Sequence, residues 1–118
     1  MAAASQLGTA EFAHLLVRWD MYRAATLGFM DRFDAVLCPP CAVAALPHGA
    51  SFANLPAFSY TFAYNLTGWP AAVVRAGTSP EGLPIGVQVV ARPWREDTAL
   101  ALAGQIERSL GGWQRPPM

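Results

Sequence analysis

Few residues in this sequence are of a type and spacing that could do chemistry. The sharpest local pattern is Cys38-Pro39-Pro40-Cys41, directly after a short apolar run. A C-x-x-C after a strand can act as a dithiol redox pair when a helix N-terminus lowers the first thiol's pKa. Here Pro47 interrupts Ala42 to Leu46 after about one turn's worth of residues, so the long helix that such a motif needs is not expected. Two small cysteines lining a loop beside the core is the preferred reading. A zinc site would draw on Cys38, Cys41, His14 and His48, but these lack the second close pair of a usual four-ligand set, and no metal site and no cofactor is expected. His14 falls on a presumed helix and His48 in a loop, both at ordinary surface or half-buried positions. No G-x-S-x-G nucleophile motif accompanies either histidine, so a serine–histidine hydrolase is not supported. All eight basic residues are arginines, which removes any mechanism that needs a lysine of this chain. Gln88 stands inside an apolar strand, where a buried amide must find partners or cost about 1 to 3 kcal/mol, and is expected to tie strand to loop. Asn65 is expected to cap a neighbouring turn, and its sequon, Asn65-Leu66-Thr67, to be a chance match.

The elements that would position these residues follow from hydrophobic periodicity. Phe12, Leu15, Leu16, Trp19, Tyr22 and Phe29 recur near a 3.6-residue period, predicting a long amphipathic helix with Thr9 as N-cap and a last turn loosened at Gly28. Phe33 to Leu37, stopped by Pro39-Pro40, reads as a short buried strand. Between Pro56 and Gly68, Phe58, Phe62 and Leu66 stand four apart, predicting a short helix stopped by Gly68 and Pro70. Ala71 to Ala76 and Ile85 to Ala91 read as strands apolar on both faces, as in a sheet covered on two sides. Ser79-Pro80-Glu81-Gly82 has the residues of a type I turn and predicts a hairpin between them. Glu96-Asp97-Thr98 opens a last helix with Leu100, Ala103, Ile106 and Leu110 on one face and Gly111-Gly112 as its stop. The order helix, strand, helix, strand, strand, helix fits part of an α/β layered fold.

Composition bounds the function. The chain has 118 residues, enough for one core but not for a two-domain enzyme with a deep cleft. Its hydrophobic content is 53% against 14% charged residues, apolar for a free-standing domain of this size, which suggests surface meant to be covered. A formal net charge of zero leaves no electrostatic footprint for nucleic acid. Neither a secretory signal nor a membrane span is read in the sequence, so a cytoplasmic location is expected.

Three blocks carry more specific information: RFDAVLCPP, YTFAYNLTGWPAAV, and GLPIGVQVVARPWREDTALALA followed by GGW. In this order, from about Phe29 to Trp113, the sequence resembles the C-terminal stretch of the amidase signature family. The resemblance implies a large α/β fold with a mixed sheet between helices, and hydrolysis of carboxamides by a serine–serine–lysine triad. The lysine helps the middle serine, often in a cis peptide, to deprotonate the nucleophilic serine, while backbone amides of a glycine- and serine-rich loop hold the oxyanion. All of these lie upstream of the matching blocks. This sequence has no lysine and no such loop, so residues 1–118 are expected to be a partial amidase domain, inactive alone, with no catalytic residue assigned. They would be a truncated product, an incomplete gene model or one piece of a split enzyme, with an amide as substrate only in the intact enzyme. A missing N-terminal portion or self-association would account for the apolar surface. The segment SYTFAYN with its following W-P step is most similar to fatty acid amide hydrolases, and is similar also to bacterial amidases and to the amidase subunit of tRNA-dependent amidotransferases. The positions that match acyl-channel residues of the fatty acid enzymes are Phe58 and Phe62, the implied substrate-binding residues. Two alternatives stand beside this reading, a small thiol–disulfide protein using Cys38 and Cys41 and a non-enzymatic interaction module.

Overall fold

The computed structural model describes residues 7–115. Helix α1 spans Thr9–Phe29, a stretch rich in the good helix formers Ala, Leu, Arg and Met. Its N-cap is Gly8, not Thr9. The Gly8 amide donates to Glu11 Oε2 at 3.1 Å, so a carboxylate one turn in satisfies the N-cap residue's own N–H, whereas the expected threonine hydroxyl would accept from a first-turn amide. After Gly28 and Phe29 the chain tightens into a 3-10 turn, Met30–Arg32.

Strand β1, Ala35–Cys38, starts two residues later than expected and ends on the first cysteine. A 3-10 segment over Phe52–Phe58 leads into helix α2, Ser59–Thr67. The expected helix from Pro56 is therefore two segments, with Phe58 at their junction. Gly68 ends α2 at φ 71°, the left-handed conformation that closes helices most easily with glycine. Strands β2, Ala71–Thr78, and β3, Pro84–Ala91, form the expected hairpin. Its turn closes by Gly82 N–H to Ser79 O at 2.9 Å and Ser79 N–H to Leu83 O at 2.8 Å.

The sheet is antiparallel throughout, in the order β1-β3-β2. Central β3 places Gln88 between Cys38 on one side and Val73 on the other. A register shift between Arg75 and Gly77 interrupts the β2 edge. Helix α3, Glu96–Leu110, packs along β2 and β3. Arg95 precedes it and holds Asp97 through two contacts of 2.9 and 3.2 Å. The buried residues of α3 are Ala99 and Ala103. Leu100 and Leu110, expected on the inner face, are 66% and 48% exposed. Small side chains face the sheet because they let helix and sheet approach closely, and the leucines point outward.

The core sits where β3 meets the turn after α1. Met30, Val89, Val90 and Ala91 are fully buried, with Trp69 and Val90 packed on Met30 and with Val36 and Tyr64 at the margin. Burying each such valine or methionine side chain is worth about 1.5–3 kcal/mol. Arg92 closes this region by donating to the Met30 carbonyl and pairing with Asp31 at 3.7 Å.

The rest of the apolar sequence is not buried. The expected long helix forms, but its apolar residues are not gathered on one buried face: no residue of α1 is buried, and Phe12, Trp19 and Phe29 are 54%, 42% and 52% exposed. The molecule is a slab of 53 × 39 × 16 Å with a radius of gyration of 17.4 Å, against about 13.5 Å for a compact domain of this length. Its accessible surface of 8848 Å² compares with about 6,200 Å² for a folded monomer of this mass. Many large apolar side chains are among the exposed residues.

Candidate functional site

The loop after β1 and the start of α2 border two neighbouring recesses. Pro39 and Pro40 turn the chain out of the sheet, and residues 41–46 follow as bends and irregular chain rather than a helix. One backbone bond, Ala42 N–H to Ala57 O at 2.8 Å, ties this loop to the segment before α2. A recess of about 350 Å³ lies between Pro40, the loop, Tyr60 and Pro84 to Gly86. Another of about 280 Å³ lies on the loop's other side, against Leu46, Ser51 and Phe58. Cys41, Val43, Ala44 and Ala45 line both. The small side chains of this loop leave the space unfilled, and neither lining contains an ionisable carboxylate, histidine or arginine.

Gly86 suits this close approach. A Cβ there would stand 3.1 Å from Val73 Cγ1 and 3.3 Å from Pro40 Cγ. Glycine thus allows the Pro-Pro bend to lie directly on the hairpin.

Beneath the recesses lies a polar cluster. Gln88, 3% exposed, donates from Nε2 to Cys38 Sγ and to the Tyr60 carbonyl, both at 3.3 Å. The Cys38 thiol donates to Tyr64 Oη at 4.0 Å, and the Tyr64 ring stacks on Trp69 with centroids 6.5 Å apart. Burial, then the neighbouring Cys38 thiol, pushes the Tyr64 phenol up to about 12. The buried amide anticipated in β3 finds partners, but it joins β3 to strand β1 and helix α2 rather than to a loop.

Of the two implied substrate residues, Phe58 is half-buried and lines the smaller recess. Phe62 lies one turn further along α2 and is 46% exposed, outside that lining. Their four-residue spacing crosses the junction into α2 rather than following one unbroken helix. Cys38 and Cys41 are free and half-buried, with no helix after them to activate a thiol, so the dithiol alternative is not favoured. His14, His48 and Asn65 are exposed. Among the described residues, no group of three or more His, Cys, Asp or Glu side chains could hold a metal ion. Among the same residues, no helix is long and apolar enough to cross a membrane.

Sequence reasoning passed over Tyr60 and Tyr64. They form their own four-residue row on α2, beside the phenylalanine row, and that spacing was the available signal. It also passed over Ala42, Ala44 and Ala45, for which small size in a loop gives no signal at all.

Comparison with known proteins agrees with the geometry. The family model Amidase matches residues 2–100. The glutamyl-tRNA(Gln) amidotransferase subunit from Methylocella silvestris is 36% identical over 107 residues, covering 86% of this chain and 21% of that protein. The fatty acid amide hydrolase of Arabidopsis thaliana is 50% identical over 57 residues, 48% of this chain and 9% of that one. Among solved structures, 6-aminohexanoate cyclic dimer hydrolase superposes with a TM-score of 0.82 at 28% identity, over 96% of this chain and 27% of that chain. The chain therefore spans about a fifth of the length of the Methylocella relative and carries the three-stranded sheet and helices of a fragment of the fold. By sequence and by structure, the chain belongs to the amidase family.

Proposed function

We propose that residues 1–118 are the C-terminal part of a single amidase domain that hydrolyses a carboxamide in the cytoplasm. In this reading the chain supplies sheet strands, covering helices and one wall of the substrate cleft. The observation that carries it is the uncovered surface, 8848 Å² where about 6,200 Å² is usual for this mass. That surplus matches a segment whose partners lie elsewhere in an amidase fold. The nucleophile, its base and the oxyanion donors come from outside this chain, which contains no lysine. Phe58 and Phe62 face the apolar part of the amide, Phe58 from the recess beside the 41–46 loop and Phe62 from the open side of α2. The uncharged lining supports an apolar acyl group over a charged one, because burying an unpaired charge there would cost several kcal/mol.

The test has two arms. The purified chain should release no product from aryl or fatty amides above the buffer rate, because proton transfer and oxyanion stabilisation are both missing. In an active amidase carrying residues 7–115 as its matching segment, Phe62→Ala should change the ratio of kcat/KM between a long-chain and a short-chain amide. An unchanged ratio together with a large fall in Tm would make Phe62 a core residue.

A further inference from the structure

Helix α2 carries Phe62 and begins directly after Phe58, yet its packing is mainly against α1 and the 3-10 segment before it, not against the sheet. What joins it to the sheet is the narrow cluster beneath the recesses. Gln88 Nε2 reaches the Tyr60 carbonyl at 3.3 Å in the first turn of α2. Cys38 reaches Tyr64 Oη one turn later, and Tyr64 meets Trp69 and the core around Met30. Gln88 is the member of this cluster that belongs to the central strand, and it bonds both Cys38 on β1 and Tyr60 on α2. An apolar residue at this position would suit the sheet, since Val90, the next residue on the same face of β3, is buried in the core. An amide whose one nitrogen serves two elements instead holds β1 and α2 together, and the loop that runs on from β1 shares a recess with Phe58, the residue before α2, beside the Ala42–Ala57 backbone bond.

We propose that Gln88 is a positioning residue for substrate selection, holding the first turn of α2 so that the recess beside Phe58 keeps one width. This rests on the reading that Phe58 and Phe62 contact the acyl part of an amide. Gln88 touches no substrate and acts through the Tyr60 carbonyl. Loss of its bond frees α2 to shift, which blurs discrimination by acyl length while leaving the reacting groups, supplied from elsewhere, in place.

The experiment uses an active amidase carrying residues 7–115 as its matching segment, assayed with para-nitroanilides of a two-carbon and a ten-carbon acid. Gln88→Leu should raise KM for the long substrate about tenfold, with kcat on the short one changed less than about threefold. Gln88→Glu, which keeps the shape but exchanges the amide donor for a carboxylate, should give the same split. A mainly structural role would lower kcat on both substrates in parallel with Tm, and that result would overturn the proposal. Should both Gln88 variants fail to fold, Tyr64→Phe and Cys38→Ala, which remove the cluster's second link, must produce the same KM split. Their showing no split would equally overturn it. Phe58→Ala separates this inference from the reading beneath it. An altered length preference in Phe58→Ala with none in the Gln88 variants refutes the positioning role alone, whereas no change in Phe58→Ala refutes the wall itself.

Discussion

The two sides of this slab have similar apolar sequences and opposite fates. Along β3 and α3, Val89, Val90, Ala91, Ala99 and Ala103 are at most 4% exposed. Along α1, Leu15, Leu16, Trp19 and Tyr22 are between 41% and 44% exposed. Periodicity reports that a face wants to be buried, but it does not report whether the burying partner lies within the same chain. The α3 side finds its partner in the hairpin next to it. The α1 side meets mainly the short α2, through contacts such as the Trp19 indole donating to the Leu66 carbonyl. Stability of the isolated chain should therefore reside in one half of it, while the proposed substrate wall lies where the two halves meet.

The largest expected effect comes from deleting side chains on each side in turn. Met30→Ala removes a fully buried side chain and should cost about 2–5 kcal/mol in chemical denaturation. Leu16→Ala, on the open side, should cost less than about 0.5 kcal/mol beyond its helix-propensity change. Equal costs would erase the contrast between the halves. A smaller effect is expected where the halves join. Gly86→Ala forces a methyl group against Val73 and Pro40, and overpacking of this kind should cost about 1–3 kcal/mol. It should also displace the Pro-Pro bend, read as altered alkylation of Cys41 by a thiol reagent, since Cys41 follows that bend directly. The smallest effect is a pH dependence. Tyr64 has its phenol raised to about 12 in the folded chain from about 10 in the unfolded one. A raised pKa favours the protonated form on folding, so its stabilising contribution is complete below pH 10 and is lost as pH rises from 10 to 12. Tyr64→Phe should flatten the fall in Tm over that window, and an unaltered slope would remove Tyr64 from the buried cluster.

How much of this was legible in the sequence depends on the physics behind each feature. The order of the elements was legible because Gly68, Pro70, Ser79-Pro80-Glu81-Gly82 and Gly111 are local stop and turn signals. Gln88 was legible as a polar residue in an apolar run. The inner face of α3 was misread because Leu100 is more apolar than Ala99, while close approach to a sheet selects size over hydropathy. The N-cap was misread because Glu11 reaches back to Gly8, a contact that depends on helix geometry rather than on the capping residue's own type. At the site, Phe58 and Phe62 were named from the family resemblance. The recesses were not, because a hollow is made by what alanines fail to fill. The exposure of α1 was foreshadowed only by bulk composition.

Amide hydrogen exchange, read residue by residue on the purified chain and on an active amidase containing it, tests the central claim most directly. The claim is that the α1 side is built to be covered by the remainder of an amidase fold. In the chain alone, β3 and α3 amides should exchange at the rate of global unfolding, while α1 amides exchange at least tenfold faster through local opening. In the assembled amidase, α1 protection should rise to match β3. A monomeric isolated chain in which α1 is already protected as strongly as β3 would contradict the account.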